Sequence, residues 1–231
     1  MKTLGIIGGL GPESTVEYYR RILVKYAEHR PGAAPSIIIN SIDVNRGLHM
    51  LGEGQLDKLA DYLVQSLQTL ERAGADFGLI SANTPHIVFD EVQCRSKLPL
   101  ISVVEATCAH AKALGLTQLA LLGTRFTMES TFYAKVFSRE GLVVVVPNEN
   151  EQTYVHEKYI GELLQGNVLP ETREGLMEVI TRMRSRDCIT GVILGGTELS
   201  LIFREPSVAG LAVLDTTEIH VQAAVDELLC D

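Results

Sequence analysis

Along the chain, short runs of β-branched and aliphatic residues alternate with longer stretches in which apolar residues recur every three or four positions. The first pattern predicts buried strands and the second predicts helices that cover them. Their alternation marks βαβ units in a parallel sheet. Strands are predicted at 4–7, 36–40, 77–81, 100–103, 119–122, 142–146, 191–194 and 211–214. Pro12 suits a first helical turn, and Val16, Tyr19, Ile22, Leu23 and Tyr26 then share one inward face. Leu56, Leu59, Leu63, Leu67 and Leu70 line a second helix that Gly74 closes. Pro170 opens a third, with Leu176, Val179, Ile180 and Met183 turned inward. Residues 41–54 carry Arg46 among Gly47, Gly52 and Gly54, and are predicted to form a long loop suited to a lid.

The pattern repeats. Leu4-Gly-Ile-Ile-Gly8, followed by Glu13-Ser-Thr15, returns as Leu119-Ala-Leu-Leu-Gly123, followed by Glu129-Ser-Thr131. Gly78-Leu-Ile-Ser-Ala-Asn-Thr84 returns as Gly191-Val-Ile-Leu-Gly-Gly-Thr197, and Ile101-Ser102 with Glu105 as Leu214-Asp215 with Glu218. Three matches in the same order predict a duplicated α/β fold: two similar lobes related by a pseudo-two-fold. Ligands of open parallel sheets bind beyond the carboxyl ends of the strands, so the turns at 8–15, 82–86, 123–127 and 195–198 are expected to line a shared cleft.

Composition narrows the function. With 20 basic against 29 acidic residues the net charge is −9, which argues against nucleic acid or an anionic membrane as the main partner. No uncharged run approaches the ~20 residues that span a bilayer, and the N-terminus lacks a signal-peptide pattern. Cys94, Cys108, Cys188 and Cys230 show no close pairing, which predicts a reducing cytoplasm rather than a disulfide scaffold. The histidines are scattered and His156-Glu157 lacks a second ligand at helical spacing, so no metal site is predicted.

The candidate chemistry lies in the strand-end turns. Gly8-Gly-Leu-Gly-Pro12 sits where free backbone N–H groups attract anions, although Ser14 stands where a dinucleotide fingerprint has its third glycine. Asn83 and Thr84 offer an amide and a hydroxyl suited to a carboxylate, with Thr197 and Glu198 at the echoing position. Helix capping is the alternative role for Asn83, Thr84 and Thr197. Arg46 is shaped to grip a second carboxylate.

Together, Gly8 to Thr15, Asn83-Thr84-x-His86, Gly196-Thr197-Glu198 and Asp215-Thr216 with Ile219-His220 resemble the motifs of the aspartate/glutamate racemase family over essentially the whole chain. The resemblance implies two Rossmann-like lobes, each with a parallel four-stranded sheet flanked by helices, with a site between them, a last strand and helix that return to the first lobe (1–98 with 210–231, against 99–209), no pyridoxal phosphate or other cofactor, and frequent dimerisation. It also implies substrate contacts from Gly9, Leu10, Arg46, Asn83, Thr84, Thr124 and Thr197. The family reaction uses two thiols on opposite faces of the substrate α-carbon, immediately before Asn-Thr and Thr-Glu. Here those positions hold Ala82 and Gly196, neither of which can accept or donate a proton. His86, Glu198 and His220 are the titratable groups nearby that could substitute. Three readings follow: altered acid/base chemistry through His86 or Glu198, a homodimer that binds a small acidic amino acid or dicarboxylate without turnover, or a nucleotide-binding module built on the Gly9 turn.

Overall fold

A computed structural model describes residues 2–230 and divides them into two compact units. One unit holds the chain up to Val103 and again from His220; the other holds Val104–Ile219.

The first unit is built from β1 (Thr3–Gly8), α1 (Pro12–His29), β2 (Ser36–Ser41), α2 (Val44–Gly52), α3 (Leu56–Arg72), β3 (Phe77–Ile80), α4 (Phe89–Arg95) and β4 (Leu100–Ile101). Its sheet has the parallel order β2-β1-β3-β4. The second unit continues with α5 (Val103–Ala113), β5 (Gln118–Gly123), α6 (Arg125–Glu129), α7 (Phe132–Arg139), β6 (Val143–Val145), α8 (Glu149–Gly161), α9 (Pro170–Asp187), β7 (Gly191–Gly195), α10 (Leu199–Ile202), β8 (Ser207–Val208) and β9 (Leu211–Asp215). Its sheet runs β6-β5-β7-β9-β8. The first four strands repeat the order of the first sheet, as the internal echo predicts. The fifth strand, β8, is an antiparallel edge that the pattern did not announce. Helix α11 (Thr216–Leu229) returns the chain to the first unit.

Alternation along β1 and β3 explains the layers of the first unit. Leu4, Ile6, Phe77 and Leu79 pack with Tyr18, Ile22 and Tyr26 of α1 and with Val221, Ala224, Val225 and Leu228 of α11. Ile7 and Ile80 face the other way, against Leu59, Leu63, Leu67 and Leu70 of α3 and Val92 of α4. In the second unit Ala120, Leu122, Val192 and Leu194 pack on α8 and α9, including the expected Leu176, Val179, Ile180 and Met183.

Three expectations are corrected. The strand at 211–215 does not return to the first lobe. Ala209 (φ 50°) and Gly210 (φ 72°) make a two-residue turn that folds β9 back on β8, and β9 also pairs in parallel with β7. Only the helix crosses back, so the boundaries 98/99 and 209/210 move to 103/104 and 219/220. Residues 41–54 are not a lid loop, because Asp43 caps α2 by accepting the Asn45 N–H at 2.9 Å. Finally, α1 is rotated from the expected face: Val16 and Tyr19 are 50% and 42% exposed, while Ser14 and Thr15 are buried beside Tyr18 and Ile22. That rotation carries two hydroxyls to the end of β3.

Candidate functional site

In the first unit, hydroxyls fix the turn after β1 against the end of β3. Gly9 adopts φ 81°, and a Cβ there would meet Ser41 and the Ile42 backbone. The Gly9 N–H donates to Thr15 Oγ1 at 2.8 Å, and that oxygen lies 3.2 Å from Ser81 Oγ. Ser81 Oγ donates to the Ile7 carbonyl at 3.0 Å, and Ser14 Oγ donates to the Ser81 carbonyl at 2.9 Å. The glycine turn is thus satisfied from within at Gly9. Leu10 turns its side chain into the packing of α2 and α3.

Ala82, Asn83 and Thr84 follow directly, with Asn83 buried and Ala82 and Thr84 half-buried. A 3-10 turn over Thr84–Val88 then brings His86 inward, stacked on Phe89 at 5.0 Å. Its Nδ1 bonds the Ala82 carbonyl at 3.0 Å, so that nitrogen carries the proton. Nε2 accepts the Val103 N–H at 3.3 Å. His220 is held likewise: Nε2 donates to the Ile101 carbonyl at 2.9 Å and Nδ1 accepts from the Tyr18 hydroxyl at 2.9 Å. Burial drives the His86 pKa down to about 3, with the neighbouring His220 adding to the shift, and drives His220 down to about 4. All four ring nitrogens of His86 and His220 thus serve backbone groups or Tyr18.

In the second unit, Thr124 caps α6 by accepting the Thr127 N–H at 3.3 Å. Helix α8 opens on a capping box between Asn148 and Glu151, whose carboxylate also takes Arg182 Nε at 2.8 Å and Arg186 Nη1 at 3.1 Å from α9. So clamped, α8 buries Val155 and, one turn on, Tyr159. The Tyr159 ring lies over Gly196: a Cβ built there would sit 2.6 Å from Cε2 and 2.8 Å from Cζ. The Tyr159 hydroxyl donates to Glu198 Oε2, and Thr197 Oγ1 donates to the same oxygen at 2.8 Å. Burial and the adjacent carboxylate push the Tyr159 pKa well above 10, so the phenol keeps its proton.

The predicted residues therefore gather in two groups at the carboxyl ends of paired strands. Gly9, Leu10, Ala82, Asn83 and Thr84 belong to β1 and β3 of the first unit; Thr124, Gly196, Thr197 and Glu198 belong to β5 and β7 of the second. Arg46 lies on α2, exposed, with its guanidinium 4.6 Å from the centre of the Tyr62 ring. Tyr159 and the hydroxyls of Thr15 and Ser81 were missed. The capping box and the spacing from Val155 signal that Tyr159 faces inward, but only the fold pairs it with Gly196. Among the described residues no group of three or more His, Cys, Asp or Glu side chains could hold a metal ion, and no helix is long and apolar enough to cross a membrane.

Two α/β units of one strand order, each with polar side chains at the carboxyl end of its third strand, define a duplicated α/β protein of the kind that holds small ligands at its strand ends. The chain belongs to the Asp/Glu/hydantoin racemase family, whose model matches residues 7–224. It is 32% identical to a candidate Asp/Glu racemase of Yersinia pestis, with a TM-score of 0.90 over 100% of both chains. It is 35% identical to an aspartate racemase homologue of Pyrococcus horikoshii OT3, with a TM-score of 0.84 over 99% of both chains. It is also 25% identical over 175 residues, 74% of each chain, to the broad specificity amino-acid racemase RacX of Bacillus subtilis (strain 168).

Proposed function

We propose that this chain binds a small acidic amino acid or dicarboxylate and does not catalyse two-thiol racemisation. The observation that carries this reading is the chemistry of the two positions the family resemblance assigns to thiols: Ala82 and Gly196 have no ionisable group, and the Tyr159 ring occupies the space above Gly196. Asn83, Thr84 and Thr197 supply the polar groups, with Arg46 as the cationic partner for a second carboxylate. Relatives named as racemases support the ligand class. The four free thiols support a reducing, cytoplasmic setting, to which we attach a homodimer. A second reading, proton transfer by Glu198, draws on its carboxylate oxygen that has no hydrogen-bond partner among the described residues.

Calorimetric titration with L- and D-aspartate and L- and D-glutamate, paired with circular dichroism of the same incubations, tests the proposal. Saturable heat with unchanged optical activity is the expected result. Loss of optical activity at the pace of an enzyme would establish turnover instead, and no heat with any of the four would remove the ligand class.

A further inference from the structure

The chain passes between the two units twice, outward at Val103–Val104 and back at Ile219–His220. Connections between domains are ordinarily exposed and mobile. Here both fall within helices, α5 and α11, and Val103, Val104, His220 and Val221 are all buried. Two imidazoles of the first unit hold them. His86, in the turn after β3, accepts at Nε2 the N–H of Val103, the last residue before the outward crossing, and its Nδ1–H donates to the Ala82 carbonyl. His220 is the first residue after the return. Its Nε2–H donates to the carbonyl of Ile101, so the returning chain is bonded directly to the departing one, 119 positions away in sequence. Tyr18 of α1 completes the set, its hydroxyl donating to His220 Nδ1. The two rings meet edge to face with centroids 6.2 Å apart. They carry their protons on opposite nitrogens, and every nitrogen is bonded. A buried imidazole so satisfied has one tautomer and one orientation, because the loss of either partner leaves a polar group unpaired.

We infer that His86 and His220 form a clasp that makes the outward and returning crossings a single joint, which loosens or holds as one. The clasp lies wholly within the first unit, and it does not depend on which ligand the protein takes. Phe89, stacked on His86 at 5.0 Å, and Tyr18, edge-on to His220 at 5.6 Å, fix the planes of the two rings. Groups that share one buried hydrogen-bond network are energetically coupled, so a ring that loses a partner disturbs its neighbour. Loosening His86 therefore releases the returning chain, which it does not bond, as well as Val103, which it does. The bond to Ala82 adds a third element to the joint: the turn that carries Asn83 and Thr84.

Two NMR measurements on the full-length protein test the joint. Long-range proton–nitrogen correlation spectra of the wild type near neutral pH are expected to show His86 protonated on Nδ1 and His220 on Nε2. Amide exchange then reads both crossings, at Val103 and at His220, with the amides of β1 and β5 as the control for global opening. His86→Asn keeps a donor for Ala82 and loses the acceptor for Val103. It is expected to speed exchange at both crossings about tenfold, the factor that the loss of one hydrogen bond brings, while β1 and β5 stay as they were. His86→Gln, whose amide oxygen takes the place of Nε2, restores most of the protection. Tyr18→Phe touches neither crossing and speeds both by a smaller, common factor. Faster exchange in His86→Asn at Val103 alone, with His220 unmoved, overturns the inference, because the two crossings are then held independently. The same tautomer on both rings overturns it as well, and so does Tyr18→Phe with Val103 protected as in the wild type. If His86→Asn fails to fold, the wild-type tautomers and Tyr18→Phe decide the matter.

Discussion

A single hydrogen atom at position 196 and a phenol at 159 describe one design decision at the residue scale. The backbone of Gly196 does not need a positive φ, so the glycine is explained by what lies above it rather than by a turn. Gly196→Ala should therefore destabilise the protein by about 1–3 kcal/mol through overpacking. Combined with Tyr159→Val, the same change should cost close to nothing. Urea titrations of the four proteins give the coupling directly, and a Gly196→Ala cost that is the same in both backgrounds would contradict the packing. The same reasoning sets the requirement for restoring thiols. Ala82→Cys with Gly196→Cys is insufficient, because the Tyr159 ring must leave before a thiol at 196 can reach a ligand. Neither Ala82 nor Gly196 needed a structure to be recognised as chemically empty. Tyr159 did, since the contact joins residues 37 positions apart in the chain and only the packing of α8 across the end of β7 creates it.

At the scale of elements, hydroxyls and imidazoles tie strand ends to helices. Thr15 and Ser14 fasten α1 to β3, and His86 and His220 fasten the segments that follow β3 and β9 to the end of β4. Both imidazoles are neutral in the folded chain down to about 3 and about 4, whereas unfolded histidines titrate near ~6.5. Above ~6.5 neither state binds the extra proton and stability is independent of these groups. As the pH falls below that value the unfolded state is protonated first, and each histidine removes about 1.4 kcal/mol per pH unit until its folded pKa is reached. Urea unfolding should thus show a loss of about 2 kcal/mol per histidine between pH ~7 and ~5, and His220→Gln should lower that loss by about half. An acid limb as steep in the variant as in the wild type would show that His220 is not held neutral. In the sequence these residues read as candidate catalysts, because a histidine beside a motif carries no mark of its burial or of the carbonyl it faces. The helix at Val44–Gly52 was likewise hidden: three glycines masked a pattern that the Asp43 cap and the stacking of Arg46 on Tyr62 make regular.

Duplication is the feature of the whole molecule that was most legible. The echoes of 4–8 at 119–123 and of 78–84 at 191–197 predict two units of one build, and the sheets share one order over their first four strands, since equal sequence at equal spacing builds equal βαβ units. The point at which the chain crosses back was misplaced by one strand, because a hairpin at 209–210 ties β9 to its neighbour and no periodicity reports on sheet edges. The crossover makes a clear demand on stability. Val221, Ala224, Val225 and Leu228 belong to the core of the first unit, and burial of four such side chains contributes an amount comparable to the 5–15 kcal/mol that holds a domain folded. A chain ended after Ile219 should lose amide protection throughout β1–β4 in hydrogen-exchange mass spectrometry and keep it in β5–β9. Undiminished protection in β1–β4 would refute that assignment of the core. The central claim, that the protein grips an acidic amino acid without moving its α-proton, has the most direct test in D₂O. Proton NMR of L- and D-aspartate and L- and D-glutamate, at ligand concentrations where calorimetry shows the site filled, should retain the full Cα–H signal. Exchange of that hydrogen for deuterium in the wild type, abolished by Glu198→Gln, would contradict the account.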